Sequence, residues 1–124
     1  MGLEKIFSNN FETVENASSA DLTTHYYHND YEKVKNTIID ISKGLKYKIK
    51  NLDDTFHEIL VLMPRGELII TLFNPTFNVT SVDFKVTTSY LLPLNRGAKV
   101  IKTYYDCLNK QLSLKNIGGG NEYY

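Results

Sequence analysis

From Tyr31 to Leu45 the apolar residues Tyr31, Val34, Ile38, Ile41 and Leu45 fall three and four apart, the spacing that lines one side of an α-helix. Asn29 stands where a capping residue belongs, and Glu32 follows at capping-box distance. Gly44 occupies the place where a helix commonly ends on a left-handed residue. A second stripe, Ile101, Tyr105, Leu108 and Leu112 flanked by Val100 and Tyr104, predicts a helix from about Arg96 to Leu112. Between the two the period changes to two. From Val79 to Leu92, Val82, Phe84, Val86, Thr88 and Tyr90 share one face, while Ser81, Asp83, Lys85, Thr87 and Ser89 share the other. One face is therefore buried and one is wet.

Three more strands precede that one: Tyr47–Lys50, Phe56–Met63 and Leu68–Phe73. Asp53-Asp54, Pro64-Arg65-Gly66-Glu67 and Asn74-Pro75 separate them with turn chemistry. Segment 22–28, rich in β-branched and aromatic residues, reads as a first strand. The order is β-α-β-β-β-β-α. Short links among the middle strands imply an antiparallel, five-stranded sheet with both helices on one face, an α+β two-layer sandwich. Residues 1–20 read as a poorly structured lead-in, 21–114 as a single domain and 115–124, with Gly118-Gly119-Gly120, as a flexible tail.

Composition narrows the class. In 124 residues, 42% hydrophobic and 23% charged, there is enough apolar material for one core. Fourteen Lys+Arg balance fourteen Asp+Glu, which disfavours a nucleic-acid partner. The single cysteine, Cys107, excludes an intrachain disulfide and fits a reducing cytoplasm. Glu4 and Lys5 interrupt the first residues, so no signal peptide is expected, and no apolar run reaches the length of a membrane span. Gly2 lacks the Ser or Thr at position 6 that myristoylation asks for, since Ile6 is there.

The Thr24-His25-Tyr26-Tyr27 strand before a capped helix, Val82-Asp83-Phe84-Lys85-Val86 in the long strand, and the ending from Pro93 to Leu112 carry a resemblance. In element order the chain resembles the TATA-binding-protein-like superfamily of folds. It is also similar to small uncharacterised cytosolic proteins of low-GC Gram-positive bacteria, over about residues 20–114. The resemblance implies the fold and no activity, because one fold hosts many functions.

Candidate chemistry is sparse. His25, His28, His57 and Asp30 are the nearest thing to a metal set, yet His25 and His28 are an odd number apart on a strand and point to opposite faces. No metal and no cofactor is expected. Cys107 falls mid-helix beside the apolar stripe and reads as a core residue. Asp53, Asp54, Glu58 and Glu67 read as turn and solubilising charges, and the glycine run lacks the strand-to-helix setting of a phosphate loop.

Tyrosine is the oddity, with nine residues and no tryptophan. Its ring buries while its hydroxyl stays available, so it favours contact surfaces. Tyr26, Tyr27, Tyr90 and Tyr105 are the expected contact residues of a non-enzymatic cytoplasmic binding or protein-interaction domain. That domain is open to a small ligand or to self-association through its sheet, whose wet face and edge strand suit a second copy. On this expectation Tyr27 and Tyr105 can become Ser without loss of a cooperative fold. A second class is a peripheral binder of anionic lipid or nucleic acid through a lysine-rich helical face. Lys33, Lys35, Lys99 and Lys102 would form the face, with Leu3, Ile6 and Phe7 as an apolar wedge. A third is a small enzyme using His25 or His57.

Overall fold

A computed structural model describes residues 10–13, 22–64, 66–88 and 96–118. In chain order they form β1 (Asn10–Glu12), β2 (His25–Tyr27), α1 (Tyr31–Gly44), β3 (Lys48–Asp53), β4 (Glu58–Met63), β5 (Gly66–Thr76), β6 (Val79–Thr88), α2 (Arg96–Gln111) and β7 (Leu114–Ile117). The class is α+β, two helices with one open antiparallel sheet.

The sheet is wider than the sequence suggests. Six strands run in the order β3-β4-β5-β6-β2-β7, and β1 pairs with the other half of β6 beside β2. The expected five strands omit β1 and β7, because a three- or four-residue strand shows no readable alternation and is held by distant partners. Leu114–Ile117, expected as frayed tail, is the sheet's edge, antiparallel to β2. Likewise Asn10–Glu12, in the expected lead-in, pairs with Lys85–Thr87. The remaining residues of the lead-in and tail, with Tyr90 and the wedge of Leu3, Ile6 and Phe7, lie outside the described residues.

The alternation in β6 is real in its second half: Val82, Phe84 and Val86 are buried, Lys85 and Thr87 exposed. Cross-strand register sets Leu72, Ile70 and Leu68 of β5 against them, then Ile59 and Val61 of β4. These residues form one core with Val34, Ile38 and Ile41 of α1 and with Ile101, Tyr104, Tyr105 and Leu108 of α2. Each fully buried aliphatic chain is worth roughly 1.5–3 kcal/mol against leaving it in water. β5 also runs on past Asn74-Pro75 to Thr76, where a break in the otherwise even register accommodates the proline.

Helix α1 starts and stops one or two residues from the expected places. Its cap is Asp30, whose carboxylate accepts from the Lys33 amide at 2.8 Å. Asn29 is spent elsewhere: its side-chain oxygen accepts from the Ser113 amide and its carbonyl from Thr80 Oγ1. At the other end Gly44 is helical, and the left-handed residue is Lys46, with φ 65°.

That shift makes a test. A methyl on Gly44 meets open space, so Gly44→Ala is expected to stabilise the protein by about 0.5–1 kcal/mol. Lys46→Gly, relieving a left-handed side chain, is expected to raise stability by about 1 kcal/mol. Chemical denaturation measures both; if Gly44 were the left-handed residue, the alanine variant would be destabilised instead.

Candidate functional site

The tyrosines predicted to make contacts are in the interior. Tyr27 is 0% exposed and Tyr105 2%, so neither offers surface to a partner, and Tyr26 is half-buried. Their hydroxyls, the feature that suggested contact, are used internally. Tyr27 donates to Asn109 Oδ1 at 2.7 Å, and Tyr105 donates to the Val82 carbonyl at 2.6 Å. Tyr104 shares a 2.8 Å hydrogen bond with Ser42 between the helices. Burial pushes the Tyr27 and Tyr105 phenols above their ordinary range, and pushes Tyr104 up to about 12 against the opposing pull of the Ser42 hydrogen bond. The Ser replacements at Tyr27 and Tyr105 therefore attack the core.

Tyr105 belongs to a polar seam on β6. The free edge of β6 pairs with β2 through Thr80–Val82 and with β1 through Lys85–Thr87, so two residues between them need other partners. Thr13 supplies them: its amide donates to the Phe84 carbonyl at 2.8 Å, and its Oγ1 accepts from the Phe84 amide at 2.9 Å. The hydroxyls of Thr13 and Thr24 both donate to Asp83 Oδ1, at 2.5 and 2.6 Å. His25 lies flat on Tyr105, ring centroids 3.5 Å apart, and its Nδ1 is 2.8 Å from the Thr23 carbonyl. A histidine, an aspartate and two threonines this close could suggest acid–base chemistry. Yet Thr13, Thr24 and His25 are each at most 6% exposed, which closes them to a substrate. The seam mends a gap in a strand ladder.

His57 is elsewhere, in the exposed turn between β3 and β4. Its φ is 57°, its Nδ1 is 3.2 Å from the Tyr31 hydroxyl, and the two rings meet edge-on. Beside it Lys35 pairs with Asp54 at 2.9 Å, and Asp53 folds the turn by accepting from the Thr55 and Phe56 amides. The two histidines proposed for an enzyme thus share no site. Among the described residues no three or more His, Cys, Asp or Glu side chains gather as a metal-binding group.

The residues that sequence reasoning missed are phenylalanines. Phe56, Phe73 and Phe77 are 69%, 61% and 89% exposed, whereas Phe84 is buried. They stand at one end of the sheet. Phe56 is in the β3–β4 turn, which is tied to β5 by the Leu72 amide donating to the His57 carbonyl, and Phe77 is in the β5–β6 turn. Asp53, Asp54 and Glu58 rim this end. The local pattern does not mark this, because it ends the strand at Phe73; only the pairing of Thr76 with Val79 shows that the hairpin runs on.

The lysines do not make one helical face. Lys33 and Lys35 lie in the first turns of α1, whereas Lys99 shares a groove with Leu45, at the opposite end of α1. Twelve helical residues separate Lys33 from Leu45, about 18 Å. Lys35 is paired with Asp54 and Lys102 with Asp106. A different basic group forms where α1 ends: Lys43, Lys46, Lys48, Lys50 and Lys99 are exposed, and none makes an ion pair among the described residues. Of these, Lys99 lines a groove with Leu45, Tyr47, Val100 and Thr103, and Lys43 and Lys46 adjoin it along the chain, whereas Lys48 shares a face with Leu62, opposite the Ile49 and Val61 side that packs with the helices. A neighbouring groove includes Asp40, Ile41, Leu45 and Cys107, which is half-buried and packs against the core.

Two outcomes are expected from the tyrosines. Tyr105→Phe keeps the packing but deprives the Val82 carbonyl of its donor, so thermal denaturation should show a loss of about 1–3 kcal/mol. The three raised phenols contribute fully below pH 10. As pH rises through 10 the unfolded chain loses these protons while the folded chain keeps them, so stability should fall by about 1.4 kcal/mol per pH unit for each. Tyrosinate absorbance should therefore rise for these residues together with the loss of circular dichroism, not before it.

The chain matches no protein-family model, no curated protein and no solved structure.

Proposed function

We propose that the chain is a non-enzymatic binding domain that engages a protein partner through the aromatic end of its sheet. The observation that carries this reading is the exposure of Phe56, Phe73 and Phe77 together at one end, while the tyrosines are drawn inside. Burying a phenylalanine is worth roughly 1.5–3 kcal/mol, and a fold that leaves three in water forgoes that gain unless something else covers them. Aromatic side chains near the centre of a contact are the usual anchors of protein interfaces.

The sign of the neighbouring charge narrows the partner. Asp53 and Glu58 stand beside the phenylalanines and repel phosphate, while Asp54 is paired with Lys35, so this end suits nucleic acid or anionic lipid less well than a protein. No described helix is long and apolar enough to cross a membrane. Both helices on the face of Val82, Phe84 and Val86 form part of this reading, supported by the single core they share. A cytoplasmic setting is a further part, supported by the lone cysteine. Kinship with TATA-binding-protein-like folds rests on the succession of a helix, four antiparallel strands and a second helix.

The Phe73→Ser/Phe77→Ser double variant is expected to keep its melting stability within about 1 kcal/mol of the parent, since surface substitutions seldom do more. A photoreactive phenylalanine analogue at position 77, introduced in the native cells, should give a cross-linked adduct of defined mass. The same analogue at Asn36, exposed on α1, should give none. Equal yields at both positions, or no adduct at position 77, would remove the reading.

A further inference from the structure

We infer that the acidic, aromatic end of one copy docks on the basic groove of a second copy, head to tail. This rests on the interaction-domain reading above and names its partner. The two surfaces lie at opposite ends of one body. Helix α1 begins against His57 at the aromatic end and finishes at Leu45 in the basic groove, about 20 Å away by helical rise. They cannot meet within one molecule, and each is what the other lacks. The phenylalanines come with Asp53, Glu58 and an Asp54 that Lys35 partly offsets, and the groove floor of Leu45, Tyr47 and Val100 comes with Lys43, Lys46 and Lys99. Like ends repel, so a two-fold dimer through either surface is disfavoured and the complementary contact is the head-to-tail one.

Two of these charges stand against local preference. Helix α2 opens with Lys99 near its start and no acidic residue in its first turn, the wrong sign for a helix dipole. Glu58 sits directly across from Asp53 at the β3–β4 turn, a like-charge pair that costs a hairpin stability. Neither is placed for the fold, and both fit a charge-steered contact. The acids at the start of α1 and Lys43 at its end, by contrast, satisfy that helix's own dipole and add to the polarity without special cost. The size is consistent with a reversible contact. At 150–250 Å² per aromatic ring, three phenylalanines so exposed offer roughly 400 Å², about half of one partner's share of a standard interface. Because the surfaces differ, the contact does not close on itself at two copies. It propagates into rings or filaments.

Sedimentation velocity on the full chain, from about 1 µM to 1 mM, is the test. The expected result is a mass that rises with concentration and falls back toward monomer at roughly 0.3 M salt. Phe73→Ser/Phe77→Ser and, separately, Lys46→Glu/Lys99→Glu should each remain monomeric. An equimolar mixture of the two should form a one-to-one dimer and stop there, since each retains one intact end. Should the serine variant fold poorly, Asp54→Lys/Glu58→Lys disables the same end by charge. A parent chain that stays monomeric throughout, a variant that associates like the parent, or a mixture that does not dimerise overturns the head-to-tail contact. A cross-link from position 77 to a different protein, with the parent monomeric, removes this inference and leaves the interaction-domain reading standing. Absence of any adduct at position 77 removes both.

Discussion

Strand β6 must find hydrogen-bond partners along both edges for ten residues, and the rest of the molecule is arranged around that demand. One edge is met by β5 along its length, save for the break at Asn74-Pro75. The other is divided between β2 and β1, two three-residue strands separated by a gap. Such short strands have little stability of their own, so their ends are tied by side chains. Thr13 completes the pairing of Phe84, and the Thr13 and Thr24 hydroxyls converge on Asp83. Tyr105 reaches down from α2 to the Val82 carbonyl, which links the helical layer to the same gap. The cluster that looks most like a catalytic site is in this way a repair of backbone pairing.

That repair also explains why Tyr27 and Tyr105, expected as contact residues, are drawn inside. A buried polar atom without a partner costs more than a hydrogen bond returns. The interior of this small protein contains polar gaps, at the β6 edge and between the helices, that a phenol can reach and a phenyl ring cannot. Tyr27, Tyr104 and Tyr105 each bury a ring and close one of these gaps. Phenylalanine has nothing to offer there. Phe56, Phe73 and Phe77 instead lie in the β3–β4 turn and the β5–β6 hairpin, where they are largely exposed.

Charge follows the long axis in the same way. A formal net charge of zero conceals an acidic end, built on the β3–β4 turn, and a basic end, where α1, β3 and the start of α2 converge. Lys48 opens β3 and Asp53 closes it, so the strand sets these two charges roughly 17 Å apart. A short sequence window mixes these signs; the folded body sorts them.

Much of the architecture is legible in the chain because it depends on local periodicity. The stripes from Val34 to Ile41 and from Val100 to Leu112, and the alternation of Val82, Phe84 and Val86, each select a face without help from distant residues. Both helices and the four central strands follow from those patterns, with cap positions displaced by one or two residues where Asp30 and Lys46 outcompete Asn29 and Gly44. What only the tertiary structure decided is everything that needs two remote segments to meet. Asn10–Glu12 and Leu114–Ile117 become strands because β6 and β2 offer open edges, and His25 and Tyr105 are sealed because they stack across the seam. The lysines divide between two ends because the end of α1 meets the start of α2, while Phe56 and Phe77 reach the same end of the sheet through separate turns. Periodicity encodes which side of an element is apolar; only the meeting of elements determines which apolar or polar groups are left without a partner, and function is carried by those.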